Sequence, residues 1–151
     1  MPSPDGYPNH LSGTDNFYHE TNVSRDLGGA DPACVTRELT NNPTPGVPSP
    51  ATPGGTRNNA VAPRFPVDNY VTSFRTTAHG SGIPIVVNTA GIGDGSFFGP
   101  GYVARYTQDG RAYTKGEGTS GWQSIGPLSD SENEKLWGRD LERIIKKCKC
   151  Q

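Results

Sequence analysis

The stretch from Ile83 to Trp122, IPIVVNTAGIGDGSFFGPGYVARYTQDGRAYTKGEGTSGW, limits what this chain can fold into more than any other. Three short apolar runs follow one another in it: Ile83-Pro-Ile-Val-Val, Gly101-Tyr-Val-Ala-Arg-Tyr and Arg111-Ala-Tyr-Thr. Glycine-rich turns divide them, the pattern of a small antiparallel meander. The turn Gln108-Asp-Gly-Arg predicts a hairpin, because an Asp-Gly pair supplies the positive φ angles that a tight turn needs.

Around that stretch the chain is poor in core-forming residues. Of its 151 residues, 20 are Gly and 14 Pro, and the hydrophobic content is 31%. Globular chains usually have about 45–50%, so the expectation is a modest core in one domain, or one domain with a tail. The net charge of −1 gives no general attraction to nucleic acid or to a membrane surface. That average hides an asymmetry. Residues 1–60 carry three arginines against six acids, whereas the remainder carries eleven Lys and Arg against nine acids. No segment has the apolar length of a membrane-spanning helix, and no charged-then-apolar leader opens the chain. A route out of the cell would therefore be as part of a larger polypeptide or through a dedicated machine. The opening Ser3-Pro-Asp-Gly reads as the tail of a preceding domain, with Met1 added where a longer chain was cut.

Residues 1–29 are polar and irregular in pattern. His10 and His19 read as exposed loop groups. The pair His19-Glu20 suggests a metal or acid–base site, but nothing in the sequence places a second group beside it. Asp31 to Leu39 predicts a helix, with Asp31 as N-cap, Pro32 at the first turn, and Val35 and Leu39 on one face. From Pro43 to Pro66 there are seven prolines, which exclude a helix or a central strand. This segment is either a flexible linker or a wrap that covers the sheet, with Val61 and Phe65 as anchors. Tyr70 to Thr77 is a strand by composition. Asn88 to Pro100 is a long loop ending in Phe97 and Phe98, a binding-site lid or an ordinary packed loop.

The strongest helix signal is Ser131 to about Lys147. Ser129 with Glu132, and Ser131 with Glu134, have capping-box spacing, and lysines gather in the last turn. Trp137, Leu141, Ile144 and Cys148 form an apolar stripe that should lie on the sheet. Arg139, Arg143, Lys146 and Lys147 form the opposite, basic face. Cys34, Cys148 and Cys150 cannot all pair within one chain, and Cys148 and Cys150 are too close for an ordinary bridge. Free thiols in a reducing compartment are expected, with a Cys34–Cys148 disulfide as the alternative.

The fold expectation is α+β: a small antiparallel sheet of about four strands packed on a C-terminal helix, with a Pro/Gly-rich irregular N-terminal half. Residues 1–66 would form the irregular wrap or linker, and residues 67–151 the β-rich domain.

Candidate chemistry lies in the second half. Glu117 is flanked by glycines at the end of a hairpin strand, with Lys115 two residues before it on the same face. His79 is the sole histidine of this half, and Arg75 and Arg105 occupy strand positions. A carboxylate base, a histidine acid and several cations are the parts of a metal-independent ribonuclease. The base takes the 2′-hydroxyl proton, the acid protonates the leaving oxygen, and the cations stabilise the phosphorane. Tyr106, Thr119, Trp122 and Phe98 are the candidate substrate contacts. Arg75 with Glu117 also fits an ADP-ribosyltransferase, although that family's Ser-Thr-Ser element and Glu-x-Glu pair are missing. No metal-ligand set is evident, and the Gly-x-Gly runs do not open a helix, so neither metal nor cofactor is expected. A reading from a different class is a non-catalytic partner-binding module using the Phe97–Phe98 loop and the basic helix face.

The ordered features PTPG and ATPGGTRNNA, then PIVVNTAG, FFGPGYVARY and KGEGTSGWQ, resemble the variable C-terminal domains of bacterial Rhs-type polymorphic toxins. The resemblance runs from about Pro43 to Gln123. It implies an antibacterial effector released from a parent secreted polypeptide and delivered by a dedicated secretion system. Such a domain would act in the cytoplasm of a competing cell and would be neutralised by a cognate immunity protein; RNA as the expected substrate comes from the carboxylate, histidine and cation set above. The family-like pattern places a histidine in the loop before Pro100-Gly-Tyr-Val. This chain has none there, so Asp94 or His79 would take its part.

Overall fold

The structure, a computed structural model, describes residues 19–46, 48–59, 70–78, 82–90, 101–118 and 130–149. Within these ranges lie six strands and two helices. They are β1 (His19–Asp26), α1 (Pro32–Asn41), β2 (Thr56–Asn59), β3 (Tyr70–Thr77), β4 (Pro84–Ala90), β5 (Gly101–Gln108), β6 (Arg111–Gly118) and α2 (Asp130–Lys149). The strands make one antiparallel sheet in the order β1-β6-β5-β4-β3-β2. The β5–β6 turn is the tight one expected from Asp-Gly, with φ of 51° at Asp109 and 78° at Gly110.

The fold is thus α+β with a C-terminal helix, and the sheet has six strands rather than about four. Both additional strands come from the half read as irregular, and both lie at the edges of the sheet. Thr56–Asn59 sits between the prolines, where an edge strand needs hydrogen bonds on one side only. His19–Asp26 alternates too weakly in hydropathy to signal a strand, and it gains its place by pairing with β6, from His19 opposite Gly118 to Asp26 opposite Arg111.

Both helices cover the same face of the sheet. α1 starts where predicted: the Asp31 carboxylate accepts a hydrogen bond from the Ala33 amide at 3.1 Å, and Pro32 occupies the first turn. Its buried residues Cys34, Val35 and Leu39 meet Trp137, Leu141, Ile144 and Ile145 of α2 and the inward side chains of the sheet in one apolar cluster. The Cys34 and Cys148 Cα atoms are 5.7 Å apart and the two residues form a disulfide. This corrects the free-thiol expectation: packing α1 beside the end of α2 brings two buried thiols within bridging range. α2 lies against β1, and the Trp137 indole donates to Asn133 at 3.1 Å while Asn133 donates to the Thr21 hydroxyl at 3.0 Å.

The segment after α1 is fastened across the same face by polar side chains. The Asn58 amide donates to the Ser49 carbonyl at 3.0 Å and to Ser73 Oγ at 2.9 Å. Ser73 in turn donates to Asn88 at 2.6 Å, and Asn88 donates to the Pro43 carbonyl at 2.9 Å. Proline-rich chain cannot satisfy its own carbonyls, and this relay supplies their donors. Val61 and Phe65, expected as anchors, lie outside the described residues.

Candidate functional site

Strand alternation decides which candidate residues can meet. On β6, Ala112, Thr114 and Gly116 are buried towards the helices, while Tyr113, Lys115 and Glu117 are half-buried on the other face. β5 places Val103 and Arg105 on the helix side, and Tyr102, Ala104 and Tyr106 on the face of Glu117. Through the β1–β6 register, Asn22 stands opposite Lys115 and Glu20 opposite Glu117. Glu20, Asn22, Lys115 and Glu117 line one cleft of about 210 Å³.

Glu117 is held firmly in this cleft. The buried Tyr102 hydroxyl donates to Glu117 Oε1 at 3.0 Å. Glu117 Oε2 is buried and accepts no hydrogen bond from the described residues. Gly116 keeps β6 close enough to β5 for this contact. A Cβ at Gly116 would run into the Tyr102 carbonyl oxygen and would reach Val103 Cα at 3.0 Å. Lys115 Nζ lies 5.1 Å from the centre of the Tyr113 ring, and Tyr113 stacks on Tyr106 with ring centres 5.0 Å apart. Burial first, and the neighbouring Tyr113 second, push the Tyr106 phenol up to about 12. It therefore stays protonated on this face at neutral pH.

The two arginines are elsewhere. Arg75 is exposed on the helix side of β3, opposite Val86, which is itself opposite Arg105. Arg75 and Arg105 line a separate cleft of about 120 Å³ with Thr36, Leu39 and Thr40 of α1. Arg105 is completely buried, with its guanidinium 2.9 Å from the Asp140 carboxylate. It also donates to Thr114 Oγ1 at 3.1 Å and to the carbonyls of Asn42 and Pro43 at 3.3 and 3.4 Å. Trp137 lies beneath it, with the guanidinium 5.0 Å from the ring. Burial lowers the Arg105 pKa, while Asp140 opposes that shift. Its donors are committed to the fold, so Arg105 ties β5 to α2 and to the chain after α1.

Of the residues singled out from the sequence, Glu117, Lys115 and Tyr106 share one face, and Arg75 and Arg105 share the other. His79, Thr119, Trp122 and Phe98 lie outside the described residues, as does Asp94. Sequence reasoning passed over Tyr102, whose place beside Glu117 depends on the β5–β6 register, and Asn22, whose place depends on β1. Alternation along β5 is the one sequence signal that puts Tyr102 and Tyr106 on one face. Among the described residues, no three His, Cys, Asp or Glu side chains converge to hold a metal ion. None of the described helices is long and apolar enough to cross a membrane.

This arrangement has definite chemical capacity. A carboxylate fixed through one oxygen can accept a proton from a bound hydroxyl, and an ammonium on the same face can hold the anionic group next to that hydroxyl. Comparison with protein-family models, with curated proteins and with solved structures finds no match to this chain.

Proposed function

We propose that this chain is an antibacterial effector domain that cleaves RNA inside a competing cell, without a metal, at the cleft between β1 and β6. It would reach that cell as the end of a parent secreted polypeptide and be held inactive at home by a cognate immunity protein. The observation that carries the ribonuclease reading is the Glu117 carboxylate, fixed by Tyr102 in a cleft shared with Lys115. Glu117 takes the proton from a ribose 2′-hydroxyl, whose oxygen then attacks the adjacent phosphorus. Lys115 stabilises the charge that gathers on the phosphoryl oxygens. The product is a 2′,3′-cyclic phosphate, and the leaving 5′-oxygen must receive a proton.

The ADP-ribosyltransferase alternative needs Arg75 and Glu117 around one nucleotide, yet their strands direct them to opposite faces of the sheet. That separation favours the ribonuclease reading. The test is incubation of purified protein with total RNA and with transfer RNA, alongside Glu117→Gln. Fragments ending in 2′,3′-cyclic phosphate from the parent protein, absent with Glu117→Gln, are expected. Intact RNA under conditions where expression still arrests cells would sink the reading and point to modification of a nucleotide or a protein.

A further inference from the structure

We propose that the free edge of β1 is the docking site of the immunity protein, which adds an extended segment of its own chain to the sheet there. The assignment rests on the effector reading and names the surface through which that activity is held off.

β1 is the outer strand on one side of the sheet, and the parity of its ladder tells which backbone groups are left over. The Leu27 amide donates to the Gly110 carbonyl at 2.9 Å, extending the β1–β6 ladder by one residue. Bonded and non-bonded pairs alternate in an antiparallel ladder, so Thr21, Val23 and Arg25 bond to β6, while Asn22, Ser24 and Asp26 turn their backbone groups outward. Among the described residues, nothing bonds to the outward amides of Asn22, Ser24 and Asp26. One outward carbonyl is occupied from within the chain. The Arg25 guanidinium donates to the Ser24 carbonyl at 2.9 Å and, through Nε, to Glu142 at 2.9 Å. A charged side chain laid on an edge in this way guards it against unwanted pairing. It can also yield to a partner's amide, because Glu142 still holds it.

The edge opens into a groove of about 620 Å³, with Asn22 to Arg25 along one side and Glu134 and Lys135 of α2 along the other. Four strand residues give about 13 Å of edge, enough to pair with a short extended segment. The groove also selects its occupant. α2 lies against β1, so a second copy pairing edge to edge would bring its own α2 beside this one. Paired strands stand about 4.8 Å apart, whereas packed helices need about 8–10 Å. A lone strand, with no helix over it, meets no such obstacle, and its main chain supplies the affinity.

Two observations connect this edge to inhibition. Asn22 lines both the groove and the cleft that holds Glu117 and Lys115, so a segment paired to β1 stands at the border of the site. Lys115, one strand in from the edge and opposite Asn22, makes no ion pair with the described residues. An acidic side chain on the partner residue beside Asn22 would share its face of the sheet and answer that charge.

The probe is the protein encoded by the reading frame directly following this one, purified with this chain after co-expression. Amide exchange followed by NMR should show Asn22, Ser24 and Asp26 exchanging freely in the isolated chain and protected in the complex. Ser24→Pro removes one outward donor and leaves the β6 ladder whole, a placement that edge strands tolerate. It should weaken binding about tenfold or more while RNA cleavage stays at the parent rate. Ser24→Ala keeps the amide and should bind as the parent does. Unchanged exchange at all three amides in a complex that does form, or equal affinity of Ser24→Pro and Ser24→Ala, overturns the assignment and leaves the effector reading intact. An isolated chain that is dimeric by light scattering, with these amides already protected, would give the edge to a second copy instead. A neighbouring product that does not bind the parent chain at all overturns the effector reading and takes this assignment with it.

Discussion

Arg105 and Asp140 meet at 2.9 Å with both side chains removed from solvent, joining an inner strand of the sheet to the C-terminal helix. Asp140 is held from a second side by Arg143, whose guanidinium donates to its other oxygen at 2.9 Å. Removing one member of a buried pair strands the other charge, at a cost of about 3–5 kcal/mol. Arg105→Ala should therefore lower the urea midpoint sharply, whereas Arg105→Met with Asp140→Leu should recover much of the loss. Activity per folded molecule should stay at the parent level in both. An Arg105→Ala protein that unfolds normally yet loses cleavage would return Arg105 to the site.

The Cys34–Cys148 bridge closes a long loop, the two residues being 114 apart in sequence, and it fastens α1 to the last turn of α2. Lys147 and Glu38 meet beside it at 3.1 Å. Reduction, or Cys34→Ser with Cys148→Ser, should cost about 2–4 kcal/mol. Urea unfolding with and without a phosphine reductant reads the loss directly. Identical midpoints, with alkylation confirming that both thiols are free, would show that the bridge adds nothing to stability.

These two contacts also mark how much could be read from the sequence. The β5–β6 hairpin was legible because Asp109 and Gly110 carry its turn locally, and α2 because its apolar stripe and terminal charges repeat at helical spacing. β1 was not, since Val23 is the one aliphatic residue in HETNVSRD and the strand depends on a partner some ninety residues away, Thr114. β2 is shorter still, and its inward residue is Asn58, which looks like a loop residue until Ser73 and Ser49 are seen to satisfy it. The site was half legible for the same reason. Glu117 and Lys115 share a face by simple alternation along one strand. Arg105 looks like a ligand-facing cation because a buried arginine is costly without partners, and those partners come from residues 42, 43 and 140, which only folding brings together.

Gly116 is the point at which backbone geometry supports the site. Gly116→Ala adds a methyl where the Tyr102 carbonyl and Val103 already stand, so β6 must move away from β5. Overpacking of this kind costs about 1–3 kcal/mol. It should also disturb the Tyr102–Glu117 hydrogen bond, so cleavage should fall further than the folded fraction does. A crystal structure or amide exchange across β5 and β6 would locate the shift. Full activity in Gly116→Ala would mean that the close approach of the strands is not needed to hold Glu117.

The separation of the two faces makes a sharp functional forecast. If the cleft between β1 and β6 cleaves RNA as proposed, Glu117→Gln should reduce that cleavage by about 10²–10⁴-fold, the range for loss of a general base. Tyr102→Phe keeps the ring and removes only the donor to Oε1, so it should reduce the rate by less, at a stability cost of about 1–3 kcal/mol for the carboxylate left without its hydrogen bond. Arg75→Ala, on the far side of the sheet, should leave cleavage unaltered. Equal losses in Arg75→Ala and Glu117→Gln would mean that one substrate reaches both faces, and the cleft between β1 and β6 would then be the wrong site.

Tyr106 links the same face to alkaline stability. Its side chain is buried under 2% exposure and stacks on Tyr113, and the folded protein raises its pKa from 10.0 to about 12. The unfolded chain ionises near the ordinary tyrosine value, so between about 10 and 12 the folded state holds a proton that the unfolded state has released. Stability from this group is complete below the lower value and is lost as pH rises through the upper one. The loss should be on the order of 2 kcal/mol for a shift of this size. Strongly alkaline solution acts on more than this one group, so the informative quantity is the difference between the parent and Tyr106→Phe. Urea midpoints should fall more steeply with pH in the parent, and tyrosinate absorbance should lose its latest-titrating component in the variant. Parallel pH profiles for the two proteins would show that Tyr106 ionises as freely in the folded chain as in the unfolded one, and that the tyrosine face is open to water.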